Sequence, residues 1–151
     1  MIFLSENEQR PAIAAFRKAL EIKSSYSIAS ANLGAIFVEY KDFEKATDLL
    51  GAGYNNVRGN LTGVALDVAN NYALALSGTG ETSKAKSIYQ DILKAQNGNV
   101  VALLNYSILL IHKLKDKKEG EKQLNRLKFL AEDSATRKAV DELDKALGET
   151  Q

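Results

Sequence analysis

The residues that could perform acid–base chemistry reduce to one histidine, His112. Asp116 follows about one helical turn later and could orient the imidazole, but the nearby hydroxyl of Ser107 would lie on the wrong helix face. The chain contains no cysteine, which excludes thiol catalysis, disulfides and iron–sulfur or zinc-finger sites. A single histidine also cannot build a multi-histidine metal site. We therefore predict a protein that is not an enzyme and that uses no metal and no cofactor.

Residues 78–82 are rich in glycine but lack the Gly-Lys-Ser/Thr ending of a phosphate-binding loop. We interpret this segment as a tight turn between two helices, because paired glycines favour turns.

Residues 113–128 form a basic segment, with seven basic and three acidic residues and a local charge of +4. No aromatic residue is interleaved before Phe129, so nucleic-acid bases have no stacking platform. The whole chain carries a net charge of only +1, which argues against nucleic-acid binding through bulk charge. We predict a solvated helix face here and no nucleic-acid partner.

The elements that position these residues are helices, because hydrophobic residues recur at helical spacing along the chain. The chain has 151 residues, is 45% hydrophobic and contains one proline, which predicts one mostly helical domain. The periodic segments and the turn signals between them predict an all-α fold of about eight antiparallel helices without a sheet. The most apolar stretch, 100–112, is too short to cross a bilayer, so we predict no direct membrane insertion. The amino-terminal residues lack the basic region of a signal peptide. Localisation stays open, with the cytoplasm favoured over the periplasm.

The predicted helix pairs recur at a nearly constant interval. Ala12, Ala46, Ala85 and Gly120 lie early in the second helix of each pair, at intervals of 34, 39 and 35 residues. A helix–turn–helix unit of about 34 residues is typical of tetratricopeptide repeats. The residues that match the family pattern are Asn32-Leu33-Gly34, Phe37, Asp42-Phe43 and Leu50, then Asn71-Tyr72-Ala73, Gly80, Tyr89 and Leu93, and a degenerate Asn105-Tyr106-Ser107 with Leu124. The chain therefore resembles the tetratricopeptide repeat family over about residues 7–131.

The resemblance implies an α-α superhelix of about three and a half repeats, at 7–26 (half), 27–60, 61–99 and 100–131. A capping helix would follow at 134–147, with Ser134 as its N-cap and Gly148 as its stop. The extra residues of the long interval are expected in 57–63, as a tolerated loop insertion or as a loop that widens the groove or touches a ligand.

Tetratricopeptide arrays usually bind peptides or helices along the concave surface formed by the first helix of each pair. The resemblance therefore implies a scaffold that binds another protein, through a peptide or an amphipathic helix. The expected partner-binding residues are Asn32, Ala35, Val38, Asn70, Asn71, Leu74, Leu104, Asn105, Ile108 and His112.

Three asparagines, Asn32, Asn71 and Asn105, occupy the same repeat position and could hold a peptide backbone or bond within their own repeat. Some tetratricopeptide proteins bind a terminal carboxylate through lysine and arginine side chains in the groove. None of the corresponding positions of this chain is basic, so we expect no clamp for a terminal carboxylate. Leu104, Ile108 and Ile111 could instead pack beneath the last helix.

The amino-terminal end lacks the first helix of its repeat, which would expose the apolar side of residues 11–22. Pro11 is compatible with this helix only if the helix begins near Asn7 or Glu8. The sequence is then either a piece of a longer repeat protein or a chain whose edge pairs with another copy or another chain. The alternative function is thus a structural element that oligomerises through its amino-terminal edge.

Overall fold

A computed structural model of the chain describes residues 6–23 and 26–149. Within these residues the protein has eight α-helices and no strand, which confirms the predicted all-α fold. The helices are α1 (Glu6–Ile22), α2 (Ser27–Glu39), α3 (Phe43–Val57), α4 (Val64–Thr79), α5 (Thr82–Ala95), α6 (Val100–Ile108), α7 (Lys117–Leu130) and α8 (Ser134–Gly148). A π-helical turn, Leu109–Leu114, continues α6. None of the described helices is long and apolar enough to span a membrane.

The helices group into two compact units, one ending at Thr79 and the other beginning at Gly80. This boundary lies inside the predicted third repeat, 61–99. Helix α1 begins at Glu6, one residue before the expected start, and includes Pro11.

In the first unit, α2, α3 and α4 pack against one another and α1 packs on α2. Gly34 faces Leu50 so closely that a Cβ atom at position 34 would overlap the leucine side chain. A small residue is therefore required where α2 meets α3. The buried core of this unit consists of Ala31, Ala46, Leu50, Val68 and Ala75.

In the second unit, α6 and the π-helical turn pack on α5, α7 and α8. The buried core consists of Leu103, Ile111, Leu124, Leu127, Ala131, Val140 and Leu143. The last helix contributes Val140 and Leu143 to this core.

The limits of α8 differ from the prediction at both ends. The N-cap is Asp133 and not Ser134, because the Asp133 carboxylate accepts a hydrogen bond of 2.8 Å from the backbone N–H of Thr136. The same carboxylate also accepts from the Thr136 hydroxyl at 2.6 Å, which lowers the pKa of Asp133. Gly148 is the last helical residue and does not follow the helix as a stop.

Three turns between consecutive helices share one backbone feature. Lys41, Gly80 and Lys115 adopt left-handed conformations, with φ angles of 58°, 89° and 54°. Two of the turns are followed by an aspartate N-cap: Asp42 accepts from the N–H of Lys45, and Asp116 from the N–H of Glu119.

The π-helical turn explains the irregular spacing of the last pair. Lys41 and Gly80 each follow the asparagine of their pair by nine residues, whereas Lys115 follows Asn105 by ten. A π-helical turn accommodates one extra residue without ending the helix. The turn therefore absorbs the residue that makes the last interval 35 rather than 34.

The expected insertion between α3 and α4 lies only in part in the loop, which is two residues longer than the loop 96–99 between α5 and α6. Val57 ends α3 and Val64 begins α4, so the connecting loop spans residues 58–63. Leu61 in this loop is 9% exposed, and its apolar side chain anchors the loop.

Candidate functional site

The first unit contains an open groove of about 610 Å³ between α1, α2 and α3. This volume lies within the range of about 300–1,000 Å³ that is usual for ligand sites. The groove is lined by the apolar side chains Leu20, Leu33, Phe37, Leu49 and Ala52, by Ser30, and by the charged residues Arg17, Glu21, Lys45 and Asp48. An apolar interior beside charged side chains is the usual anatomy of a protein-binding surface.

We call the contact between α1 and α2 the first junction and the contact between α3 and α4 the next junction. The next junction is filled by an aromatic side chain. The ring centroids of Tyr72 on α4 and Tyr54 on α3 lie 5.4 Å apart. Gly51 leaves room for the ring, because a Cβ atom at position 51 would lie 3.2 Å from the Tyr72 hydroxyl oxygen. Tyrosine side chains thus occupy this junction.

The corresponding residues of the first junction line the groove. Arg17 lies 34 residues before Gly51, and Leu20 lies 34 residues before Tyr54. This is the interval between Ala12 and Ala46, so the residues occupy equivalent positions. Leu33 lies 39 residues before Tyr72, which is also the interval between the left-handed residues Lys41 and Gly80. The groove therefore lies at the position where the next junction holds the ring of Tyr72.

The second unit also places a tyrosine at this repeat position. Tyr106 is 1% exposed and its ring lies 5.8 Å from that of Tyr89, centroid to centroid. The Tyr106 hydroxyl accepts a hydrogen bond of 3.3 Å from the side-chain amide of Gln90. Burial, assisted by the nearby Glu119 carboxylate, raises the pKa of Tyr106 to about 12. Of the three equivalent positions, only Leu33 holds a smaller, aliphatic side chain.

The charged side chains around the groove differ in how they are paired. The Lys45 ammonium donates to Asp42 at 2.5 Å and lies 5.9 Å from the centroid of the Phe37 ring. This hydrogen bond lowers the pKa of the Asp42 carboxyl. Within the described residues, Arg17 and Asp48 form no ion pair, and neither does Glu21. The rim therefore offers charges of both signs to a ligand.

None of the ten partner-binding residues predicted from the sequence lines this groove. Those in the first unit lie on α2 and α4, and those in the second lie on α6 and the π-helical turn. Asn70 is buried at 5% exposure, so its side chain presents almost no surface. Asn32, Ile108 and His112 are exposed, whereas Ala35, Val38, Asn71, Leu74, Leu104 and Asn105 are half-buried.

Two of the apolar residues on α6 and its continuation contribute to packing in the second unit. Ile111 belongs to the buried core, and Leu104 packs against that core. Leu104 and Ile111 therefore pack with the core that the last helix shares, which is the alternative to a place on the binding surface. Ile108 is 38% exposed and remains on the surface.

His112 is exposed on the π-helical turn, and Asp116 does not orient it. The Asp116 carboxylate accepts instead from the backbone N–H of Glu119 at 3.2 Å and from the Lys86 ammonium at 3.5 Å. Ser107 is fully buried, so its hydroxyl is remote from solvent. In the part of the chain that the structure describes, no three His, Cys, Asp or Glu side chains cluster as metal ligands would.

Several cations of the basic segment have local partners. Lys122 pairs with Glu119 at 3.4 Å and Lys128 with Asp144 at 2.6 Å. Arg126 donates to the side chain of Gln123 and to a backbone carbonyl, each at 2.6 Å. These contacts agree with a solvated helix face.

Sequence reasoning missed the groove because it assigned binding to the first helix of each pair. The groove lies instead where the second helices, α1 and α3, flank α2. A signal was available in Leu33, which stands where the later pairs have Tyr72 and Tyr106. No protein-family model and no curated protein matches the chain.

Proposed function

We propose that this protein is a non-catalytic interaction module that binds a segment of another protein in the groove between α1, α2 and α3. The observation that carries the proposal is the open, apolar groove of about 610 Å³ in the first unit. Exposed apolar surface of this kind is costly in water, and binding a partner removes that cost.

A peptide or an amphipathic helix suits the groove best. Such a ligand inserts side chains spaced three or four residues apart into an apolar cleft and keeps its polar face in water. Leu20, Leu33 and Leu49 offer the apolar contacts, and the charged side chains fix the orientation of the ligand.

We further propose that the helix pairs belong to the tetratricopeptide type and form an α-α superhelix. The nearly constant spacing of the pairs supports this assignment, as do the left-handed residues inside the turns and the buried small residues Gly34, Ala73 and Ser107. The concave surface with Asn32, Asn71 and Asn105 remains a prediction for a second binding surface.

The test compares groove and surface variants in the binding of a purified partner. A partner captured with the full chain is first identified, and its Kd is then measured by calorimetry against Leu49→Glu, Asn71→Ala and Val101→Glu. We expect Leu49→Glu to weaken binding at least tenfold, because it places a charge among apolar side chains. Val101 is 55% exposed in the second unit, so Val101→Glu is the matched control.

The proposal is wrong if Leu49→Glu retains its helical circular dichroism and binds the partner as tightly as the wild type. A loss restricted to Asn71→Ala would move the binding surface to the first helices of the pairs.

A second candidate function, oligomerisation through the amino-terminal edge, is favoured by Ile22, the last residue of that edge, which is 79% exposed. The neighbouring Tyr26 and Ile28, which lie outside residues 11–22, are 44% and 46% exposed. This candidate expects concentration-dependent association in light scattering, abolished by Ile22→Glu and retained in Val101→Glu. A monomer at high protein concentration would exclude it.

A further inference from the structure

We infer that the segment bound in the groove is anchored by an aromatic side chain, flanked by charges of both signs. The inference rests on the proposed function and names the chemistry of the partner. Its basis is that the groove takes the place of a tyrosine ring that the chain itself supplies elsewhere.

The positional argument comes from three pairs of equivalent residues. The ring of Tyr72 packs beside Tyr54 and over Gly51, and the equivalents of these residues all line the groove. At the position of the ring itself, the first junction has Leu33, which is 2% exposed and fills only the floor. An incoming aromatic ring would therefore meet the positions equivalent to those that Tyr72 meets, with Arg17 in place of Gly51 and Leu20 in place of Tyr54.

The walls of the groove favour an aromatic ring over an aliphatic side chain. The Phe37 ring lines the groove, and aromatic pairs gain energy beyond their buried area when the rings pack offset or edge to face. Aromatic anchors in central pockets supply most of the affinity of many protein interfaces.

Charge complementarity specifies what flanks the anchor. The rim carries two cations, Arg17 and Lys45, and two anions, Glu21 and Asp48. A uniformly acidic or uniformly basic segment would meet like charges at this rim. A partner segment with both an acidic and a basic residue beside its aromatic anchor pairs with both signs.

The experiment uses p-cresol, the side-chain analogue of tyrosine, as the probe on the full chain. Titration is followed through the leucine methyl resonances in a ¹³C-labelled sample. We expect saturable shifts of the methyl groups of Leu20, Leu33 and Leu49, and at least fivefold weaker binding of the saturated analogue 4-methylcyclohexanol.

Two variants fill the groove from within, Leu20→Tyr and Leu33→Tyr. Leu20 is only half-buried, so Leu20→Tyr still tests the inference if the substitution at the more buried Leu33 disturbs folding. Each folded variant should weaken p-cresol binding at least tenfold. Val101→Tyr adds the same side chain to an exposed position of the second unit and should leave p-cresol binding unchanged.

Equal affinity for p-cresol and 4-methylcyclohexanol overturns the inference, as do methyl shifts that do not saturate or that lie outside the groove. If Leu49→Glu weakens partner binding but the protein does not bind p-cresol, the aromatic anchor is refuted and the proposed function stands. Conversely, p-cresol binding together with a partner that ignores Leu49→Glu refutes the proposed function alone.

Discussion

Two junctions of the first unit have matching positions in the sequence and opposite interiors. Between α3 and α4, Tyr54 and Tyr72 pack together over Gly51. Between α1 and α2, the equivalent positions hold Leu20, Leu33 and Arg17, and an open groove lies there. A change in side-chain size at a few equivalent positions thus separates a filled junction from an open one.

The difference suggests that a change of side chains at matching positions is enough to open a groove between helices. A core position that loses a ring also loses its packing contacts, and water does not replace them. Stability lost at one junction is tolerable because neighbouring junctions supply much of the total in repeat proteins. The open junction is therefore where we expect function, and the filled junction is where we expect stability.

The largest expected effect comes from emptying the filled junction. Tyr72→Ala removes a half-buried ring that packs on Tyr54, and we expect it to lower the free energy of unfolding by about 3 kcal/mol. Leu20→Ala at the open junction removes fewer contacts and should cost about 1 kcal/mol. Urea unfolding of both variants checks the difference. Equal losses would mean that the two junctions contribute alike.

The second prediction introduces arginine, which the open junction has at position 17, at the equivalent position 51 of the filled junction. Gly51→Arg places a long side chain where the Tyr72 hydroxyl lies 3.2 Å from the site of a Cβ atom. We expect a loss of about 2 kcal/mol, because the tyrosine ring must move outward. Gly59→Arg is the control, since nothing lies within 4 Å of a Cβ atom at position 59. A tolerated Gly51→Arg would show that this glycine does not set the packing.

Much of the fold could be predicted from the sequence, because helical periodicity depends on local spacing. The apolar pattern predicts the helices, and the regular recurrence of small residues such as Ala12, Ala46 and Ala85 predicts the pairs. Spacing alone does not fix the helix ends: Asp133 and Ser134 are both good N-caps, and only the hydrogen bond to Thr136 decides between them.

The candidate site was harder to predict, because a groove depends on residues far apart in the sequence. Leu20, Leu33 and Leu49 each fit a helical core pattern, and nothing local indicates that space remains between them. Likewise, Asn70 and Asn71 are adjacent polar residues, yet one is buried and the other half-buried. Burial follows from tertiary packing, which periodicity constrains only coarsely.

The third prediction closes the groove. In an Arg17→Gly background, which restores the glycine found at position 51, Leu20→Tyr combined with Leu33→Tyr recreates the pair formed by Tyr54 and Tyr72, and we expect a gain of about 1 kcal/mol over that background from the added aromatic contact. Urea unfolding measures the gain. Val101→Tyr controls for the effect of an added tyrosine on the chain. A clear loss of stability in the double variant would show that the two junctions are not equivalent.

The smallest effect concerns Asp42, which caps α3, the helix that contributes to both junctions. Its pKa is lowered from 3.8 by the hydrogen bond from the Lys45 side chain, so its stabilising contribution is complete above that value and is lost as the pH falls through the lower, folded pKa. Asp42→Asn keeps an N-cap acceptor but does not titrate below pH 4. We therefore expect the wild type to lose slightly more stability than the variant between pH 5 and pH 2 in urea unfolding. Identical pH profiles would show that the Asp42–Lys45 bond does not stabilise the helix between the open and the filled junction.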